Sequence, residues 1–183
     1  MIIRHARPGD EAGIAIVHVH SWQKTYAGLL DMAYLQQLSV PQRQQAWQEQ
    51  LKRMNEQYQL LVLENEAGVI TGFISGGSSR ELSVSNINGQ REGEIYALYL
   101  VSSAQGQGWG GQLLSRMLQW LQQQQYDHVI VWALRDNPAV RFYQHYGAVP
   151  YKEQTIKIGG KLYRETALRW RDIQKQSYIV KEW

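Results

Sequence analysis

The stretch Glu94-Ile95-Tyr96-Ala97-Leu98-Tyr99-Leu100-Val101, joined through Ser102-Ser103-Ala104 to Gln105-Gly106-Gln107-Gly108-Trp109-Gly110-Gly111-Gln112-Leu113-Leu114, changes its periodicity at the glycines. Glu94 to Val101 is apolar or aromatic at nearly every position, the pattern of a central strand covered on both faces. Beyond the glycines, Leu113, Leu114, Met117, Leu118 and Leu121 recur at helical spacing, while Gln112, Arg116, Gln119 and Gln122 turn outward. Between strand and helix, Gly106, Gly108, Gly110 and Gly111 let the backbone approach a ligand, and first-turn amides without an intrahelical partner form an anion site. His128 to Leu134 follows as a second buried strand, and this strand-helix-strand unit is the part of the sheet expected to be parallel.

Outward from this unit the chain reads as short elements. Met1 to Ala6 is a strand, and Pro8-Gly9-Asp10-Glu11 opens a helix carrying Ile14, Val17 and Ser21 on one face. Further helical pieces cover Asp31 to Leu38 and Pro41 to about Glu56, the second opening on a proline whose missing N–H does no harm there. Leu60 to Leu63 and Val69 to Ile74 form a hairpin around the Glu64-to-Gly68 turn, and Ser75 to Gln90 reads as a loop or ragged strand ends. Asn137 to Tyr146 is a short helix stopped by Gly147. Val149 to Ile158 and Lys161 to Trp170 close the chain as a hairpin through Gly159-Gly160. The expected order is β-α-α-β-β-β-α-β-α-β-β, an α/β layer with a mixed sheet. No repeat, linker or charge block marks a boundary, so residues 1–183 are expected to form one domain, with 171–183 a tail of unassigned role.

Composition narrows the function. A chain of 183 residues, 44% apolar and 19% charged, has the size of a single globular domain. Its 19 Lys and Arg against 16 Asp and Glu give +3, scattered rather than striped, which suits small anionic ligands and not a nucleic-acid duplex. The absence of cysteine excludes disulfides, thiolate metal sites and a cysteine nucleophile, and fits a reducing compartment. Met1-Ile2-Ile3-Arg4-His5 reaches a charge too soon for a signal peptide, and no apolar run is long enough for a membrane span, so a cytoplasmic protein is expected. Seven Trp and eleven Tyr against two Phe point to rings with a polar edge, at core margins or around a pocket. His18 and His20 face different sides of their helix, and His5, His128 and His145 show no ligand spacing, so no metal site is expected.

The glycine turn admits two ligands. Gly106, Gly108 and Gly111 satisfy the dinucleotide spacing G-x-G-x-x-G, with Asp136 in range of the acidic position that follows it. Against this, the turn lies deep in the chain and only 72 residues follow Gly111, too few for the remaining strands of such a domain. The Gly-Lys-Ser/Thr of a nucleoside-triphosphate loop is also missing.

Gln105-x-x-Gly108-x-Gly110 resembles the Gln/Arg-x-x-Gly-x-Gly/Ala motif of the GNAT superfamily of acyl-CoA N-acyltransferases, in the same strand-loop-helix context. Asn137-Pro138-Ala139-Val140-Arg141-Phe142-Tyr143-Gln144-His145-Tyr146-Gly147-Ala148 is similar to that family's Asn-x-x-Ala-x-x-Phe-Tyr-x-x-x-Gly-Phe segment, with Ala148 where Phe is usual. The resemblance implies a GNAT-type α/β fold: a mixed, mostly antiparallel sheet with splayed central parallel strands and helices on both faces. It implies acetyl-CoA as co-substrate, its diphosphate on the amides of Gly106, Gly108, Trp109, Gly110 and Gly111 with Gln105 beside them. The pantetheine arm is implied to run along Leu98, Tyr99 and Leu100 like an added strand, held from the other side by Asn137. It also leaves room for a homodimer.

For the chemistry, an aliphatic amine must lose a proton at a cost of about 4.6 kcal/mol at pH 7, and the departing thiolate needs one. Tyr143, of the Phe-Tyr pair, is the expected general acid and a contact to the thioester. Glu94 is the expected strand carboxylate; by alternation it shares a face with Tyr96, Leu98 and Leu100, and two roles stand: base through water, or orientation of a cationic substrate. A backbone N–H near Leu98 is expected to meet the developing oxyanion. Trp22 and Tyr26, four apart on a helix, together with Tyr96, are the expected acceptor contacts, a cage for a cationic amine or else core packing. The expected function is acetyl transfer from acetyl-CoA to a primary amine of a small molecule by direct transfer. The alternatives are acetylation of a protein N-terminus or lysine, and a non-catalytic acyl-CoA-binding module.

Overall fold

The structure is a computed structural model that describes residues 1–52, 57–80 and 89–176. Along the chain run β1 (Ile2–His5), α1 (Glu11–Thr25), α2 (Met32–Gln36), α3 (Val40–Lys52), β2 (Tyr58–Glu64), β3 (Ile70–Ser78) and β4 (Glu92–Leu100). There follow α4 (Trp109–Gln123), β5 (His128–Leu134), α5 (Ala139–His145), β6 (Val149–Ile158) and β7 (Lys161–Trp170). They form one seven-stranded sheet in the order β1-β2-β3-β4-β5-β7-β6, antiparallel throughout except for β4 beside β5. This is the expected mixed sheet. Among the described residues, no helix is long and apolar enough to cross a membrane.

Three local expectations are corrected. Between β1 and β2 the chain forms the three helical pieces read there, one more than the abbreviated element order counts, and Asp31 starts the middle one by accepting from the Ala33 amide at 2.8 Å. Ser75 to Ser78 belongs to β3 and not to a loop. Its glycines serve close packing there: a Cβ at Gly76 would stand 3.0 Å from Met117 Sδ, and one at Gly77 would collide with the Gln57 carbonyl. The rest of the expected 75–90 loop falls partly, at 81–88, outside the described residues. Finally, β4 begins at Glu92, which adds a second buried carboxylate to the strand.

Two irregularities in β4 shape the centre of the sheet. Its register against β3 passes from Ala97 opposite Ser75 to Ile95 opposite Gly76, leaving Tyr96 as a bulge. Its parallel pairing with β5 covers only Glu92 to Ile95, opposite His128 to Val131, after which the two strands part. Helices cover both faces. Ile95, Leu113, Leu114, Met117, Leu121 and Trp170 make the core beneath α4, while Ile14, Val17, Trp47, Leu60, Val62 and Phe73 make the core beneath α1 and α3. A third cluster, Tyr26, Leu30, Leu35 and Leu134 with Tyr34, Ile158 and Tyr163, ties the segment after α1 to the tip of the β6–β7 hairpin. Asp31 secures that junction, its amide donating to Tyr163 Oη at 3.2 Å and its carboxylate pairing with Lys161. Beyond β7, Ile173 is fully buried and Gln122 Nε2 donates to its carbonyl, so 171–176 packs against the end of α4.

Candidate active site

Where β4 and β5 part, a cavity of about 740 Å³ opens between them, walled by Tyr96 to Leu100, Val131 to Ala133, the glycine turn and one side of α5. The volume lies in the range of small-molecule sites. The backbone of β4 faces it in alternation. Val101 N–H donates to Thr71 O on β3 at 2.9 Å, whereas Leu100 O is turned away and accepts from Ser21 Oγ at 3.3 Å and Gln105 Nε2 at 2.9 Å. In an antiparallel ladder these directions alternate residue by residue, so Leu98 and Leu100 direct their peptide groups into the gap.

At the head of the gap stands the turn. Gly106 (φ 72°) and Gly108 (φ 83°) lie in the left-handed region, and a Cβ at either would meet nothing within 4 Å. The glycines are there for the backbone path, and the space they leave is open. Among the described residues no protein acceptor takes the amides of Gly106 to Gly111, while Gln112 N–H closes the first helical bond to Gly108 O at 3.1 Å. Six consecutive donors at a helix start, with α4 behind them, are an anion cradle. Gln105 holds the turn to the end of β4, and Trp109 packs on the core beneath α4.

Inside the cavity three tyrosines converge. Tyr143, on α5, is 5% exposed and stands edge-on to Trp170 at 5.9 Å; burial pushes its hydroxyl well above the usual tyrosine range. Trp22 Nε1 donates to Tyr99 Oη at 2.9 Å, and the Tyr26 hydroxyl, raised above its usual range by burial, lies near Tyr99 and Asn137, which oppose that rise. Asn137 also accepts from the Ala139 amide at 2.9 Å, which fixes the start of α5. Tyr99, Tyr26 and Asn137 thus line the gap from β4 to the segment after β5, with Trp22 holding Tyr99. Of the expected acceptor contacts, Tyr26 and Tyr96 line the cavity and Trp22 does not: its ring packs on Tyr26 at 4.8 Å and on His18 at 5.9 Å.

The expected face of Glu94 is corrected by the bulge. One extra residue at Tyr96 reverses the alternation, so Leu98 and Leu100 join Ile95 toward α4, and Ala97 and Tyr99 face α1 and α3. Glu94 therefore lies on the opposite face from Leu98, 1% exposed, and its carboxylate accepts from the Arg80 amide at 2.9 Å and from the Arg80 guanidinium. Arg80 also lies over the Tyr96 ring, 4.9 Å from its centroid. The cavity wall also includes Lys24 and Trp132, which carried no sequence signal, and Phe142 and Tyr146, which lie in the Asn137 segment but were not read as site members. Ser21 was legible only as a member of the inward face of its helix.

Residues 20–148 match the Acetyltransferase (GNAT) family. Over 171 residues, and 93% of each chain, the protein is 32% identical to the uncharacterized N-acetyltransferase YuaI of Bacillus subtilis. Among solved structures it is similar to PaiA N-acetyltransferase of Thermoplasma acidophilum in complex with coenzyme A, with a TM-score of 0.73 and 16% identity over 93% of this chain and 98% of that one. It is also similar to yncA of Salmonella typhimurium, solved with its cofactor acetyl-CoA, with a TM-score of 0.70 and 23% identity over 97% and 95% of the two chains. The chain belongs to the GNAT acetyltransferase family, and its activity is N-acetyl transfer.

Proposed function

We propose that this protein moves the acetyl group of acetyl-CoA directly to a primary amine of a small molecule, with both substrates bound together. The observation that carries the reading is the continuity of the bare amides at 106–111 with the splayed gap below them. The diphosphate rests on the amides, the pantetheine extends β4 along the Leu98 peptide group and the Leu100 N–H, which face the gap, and the thioester arrives beside Tyr143. The Leu98 N–H meets the oxyanion as the amine nitrogen attacks the carbonyl carbon. The C–S bond then breaks, Tyr143, kept protonated by burial, gives its proton to the sulfur, and the proton lost by the amine nitrogen passes through water to restore the Tyr143 hydroxyl. With no cysteine in the chain, no cysteinyl intermediate intervenes.

The amine enters from the α1 side, where Tyr26 and Tyr96 line the wall. On that side Tyr26 is backed by the junction of the segment after α1 with the β6–β7 hairpin, a built-up wall that favours a compact acceptor over a polypeptide laid in a groove. For Glu94, the Arg80 contacts favour orientation over proton abstraction, since both carboxylate oxygens are already occupied by the Arg80 amide and guanidinium. The test is thiol release from acetyl-CoA against small primary amines and against peptides with free N-termini or lysines. Release with small amines and little with peptides is expected; faster turnover of peptides, or no release with any amine, sinks the reading.

A further inference from the structure

Gly111 follows the two left-handed glycines but does not share their reason. Its φ is not positive, and a glycine within a helix costs up to about 1 kcal/mol relative to alanine. Space explains it instead. A Cβ at Gly111 would stand 2.6 Å from Tyr146 Cζ and would collide with Tyr146 Oη. At Gly110 a Cβ would lie 3.4 Å from Phe142 Cε2. Phe142 and Tyr146, with centroids 4.9 Å apart, thus seat their rings side by side on the first turn of α4. A helix glycine is spent on admitting one particular ring, and that ring carries a hydroxyl.

The hydroxyl of Tyr146 belongs to a half-buried residue on the cavity wall and has no protein partner among the described residues. It lies against the helix turn whose amides are also bare. From Gln105 to Gln112 the chain contains no cation, so a bound diphosphate is met in that segment by neutral donors alone. An added O–H donor beside N–H donors, all aimed at one dianion, is a strong arrangement because bonds to charged groups exceed neutral ones.

We infer that Tyr146 is a ligand-binding residue of this site, its hydroxyl donating to a phosphate oxygen of the acyl carrier's diphosphate, and that Gly111 is glycine to admit it. The inference rests on the carrier being a coenzyme A thioester. Tyr146→Phe keeps the ring on Gly111 and removes only the donor. Titration calorimetry with coenzyme A should show binding about tenfold weaker than wild type, the size of one charge-assisted hydrogen bond, in a protein that melts at the wild-type temperature without ligand. Dephospho-coenzyme A, which lacks the 3′-phosphate and keeps the diphosphate, should show the same factor. Affinity within twofold of wild type overturns the inference and leaves the carrier assignment standing. A penalty confined to coenzyme A and absent with dephospho-coenzyme A overturns it too, by moving the contact to the 3′-phosphate. Wild-type protein that binds neither compound overturns the carrier assignment and the inference together.

Discussion

As the proposed general acid, Tyr143 has two demands to meet at once, since its proton must be present at neutral pH and must still leave when thiolate forms. Burial satisfies the first by holding the hydroxyl protonated well beyond the usual range. The growing charge on sulfur would satisfy the second, because beside the 5% exposed Tyr143 that charge is poorly solvated. Tyr143→Phe keeps the edge-on contact with Trp170 and removes the proton. Turnover is expected to fall by about a hundredfold with acetyl-CoA affinity unchanged, read as kcat against a separately measured Kd. Wild-type kcat would return Tyr143 to a packing role. This residue was legible in the sequence because the Phe-Tyr pair sits in a segment with its own motif. Glu94 was legible as a carboxylate but not as Arg80's partner, because Arg80 reaches it from across β3 and β4.

At the scale of elements, the glycine turn divides its labour. Gly106 and Gly108 are required by their left-handed backbone and face open space; Gly111 is required by the Tyr146 ring, whereas a Cβ at Gly110 would only touch Phe142. Gly108→Ala should therefore leave a folded protein, destabilised by about 1–2 kcal/mol through left-handed strain. It should also lose much of the stabilisation that acetyl-CoA gives, which is about 2.7 kcal/mol at a hundred times Kd for wild type. Thermal unfolding with and without ligand reads both terms, and an undiminished ligand shift in the variant would detach the turn from the diphosphate. The turn itself is plain in the sequence, since positive φ selects glycine locally. The bulge at Tyr96 is not: a register is a relation between two strands, and nothing in β4 alone marks which residue lacks a partner.

For the molecule as a whole, the core between α1, α3 and the sheet contains a histidine that cannot charge. His18 stacks on Tyr99 at 5.3 Å and accepts from Trp47 Nε1 at 3.2 Å, and burial, helped by Arg43, pushes its imidazole down to about 3. Folded, it stays neutral, while in the unfolded chain it takes a proton below about 6.5. Below that pH the unfolded state binds more protons, so stability falls on acidification by up to about 1.4 kcal/mol per pH unit until the folded value is reached. His18→Gln keeps an acceptor for Trp47 and cannot titrate. Its loss of stability between pH 6.5 and 4, measured by denaturant unfolding, is expected to be shallower than wild type, and parallel curves would show that His18 charges without penalty. What the sequence alone determined is what short-range chemistry fixes: the apolar strand, the glycine turn, the amphipathic helix behind it and the Asn137-to-Gly147 segment, whose spacing carries the family. Tertiary structure alone decided the face of Glu94, the withdrawal of Trp22 to hold Tyr99, the approach of Tyr26 to Asn137, and the fit of Tyr146 to Gly111. Each of these is a meeting of side chains from separate elements, and no periodicity within one element encodes where another element will place its atoms.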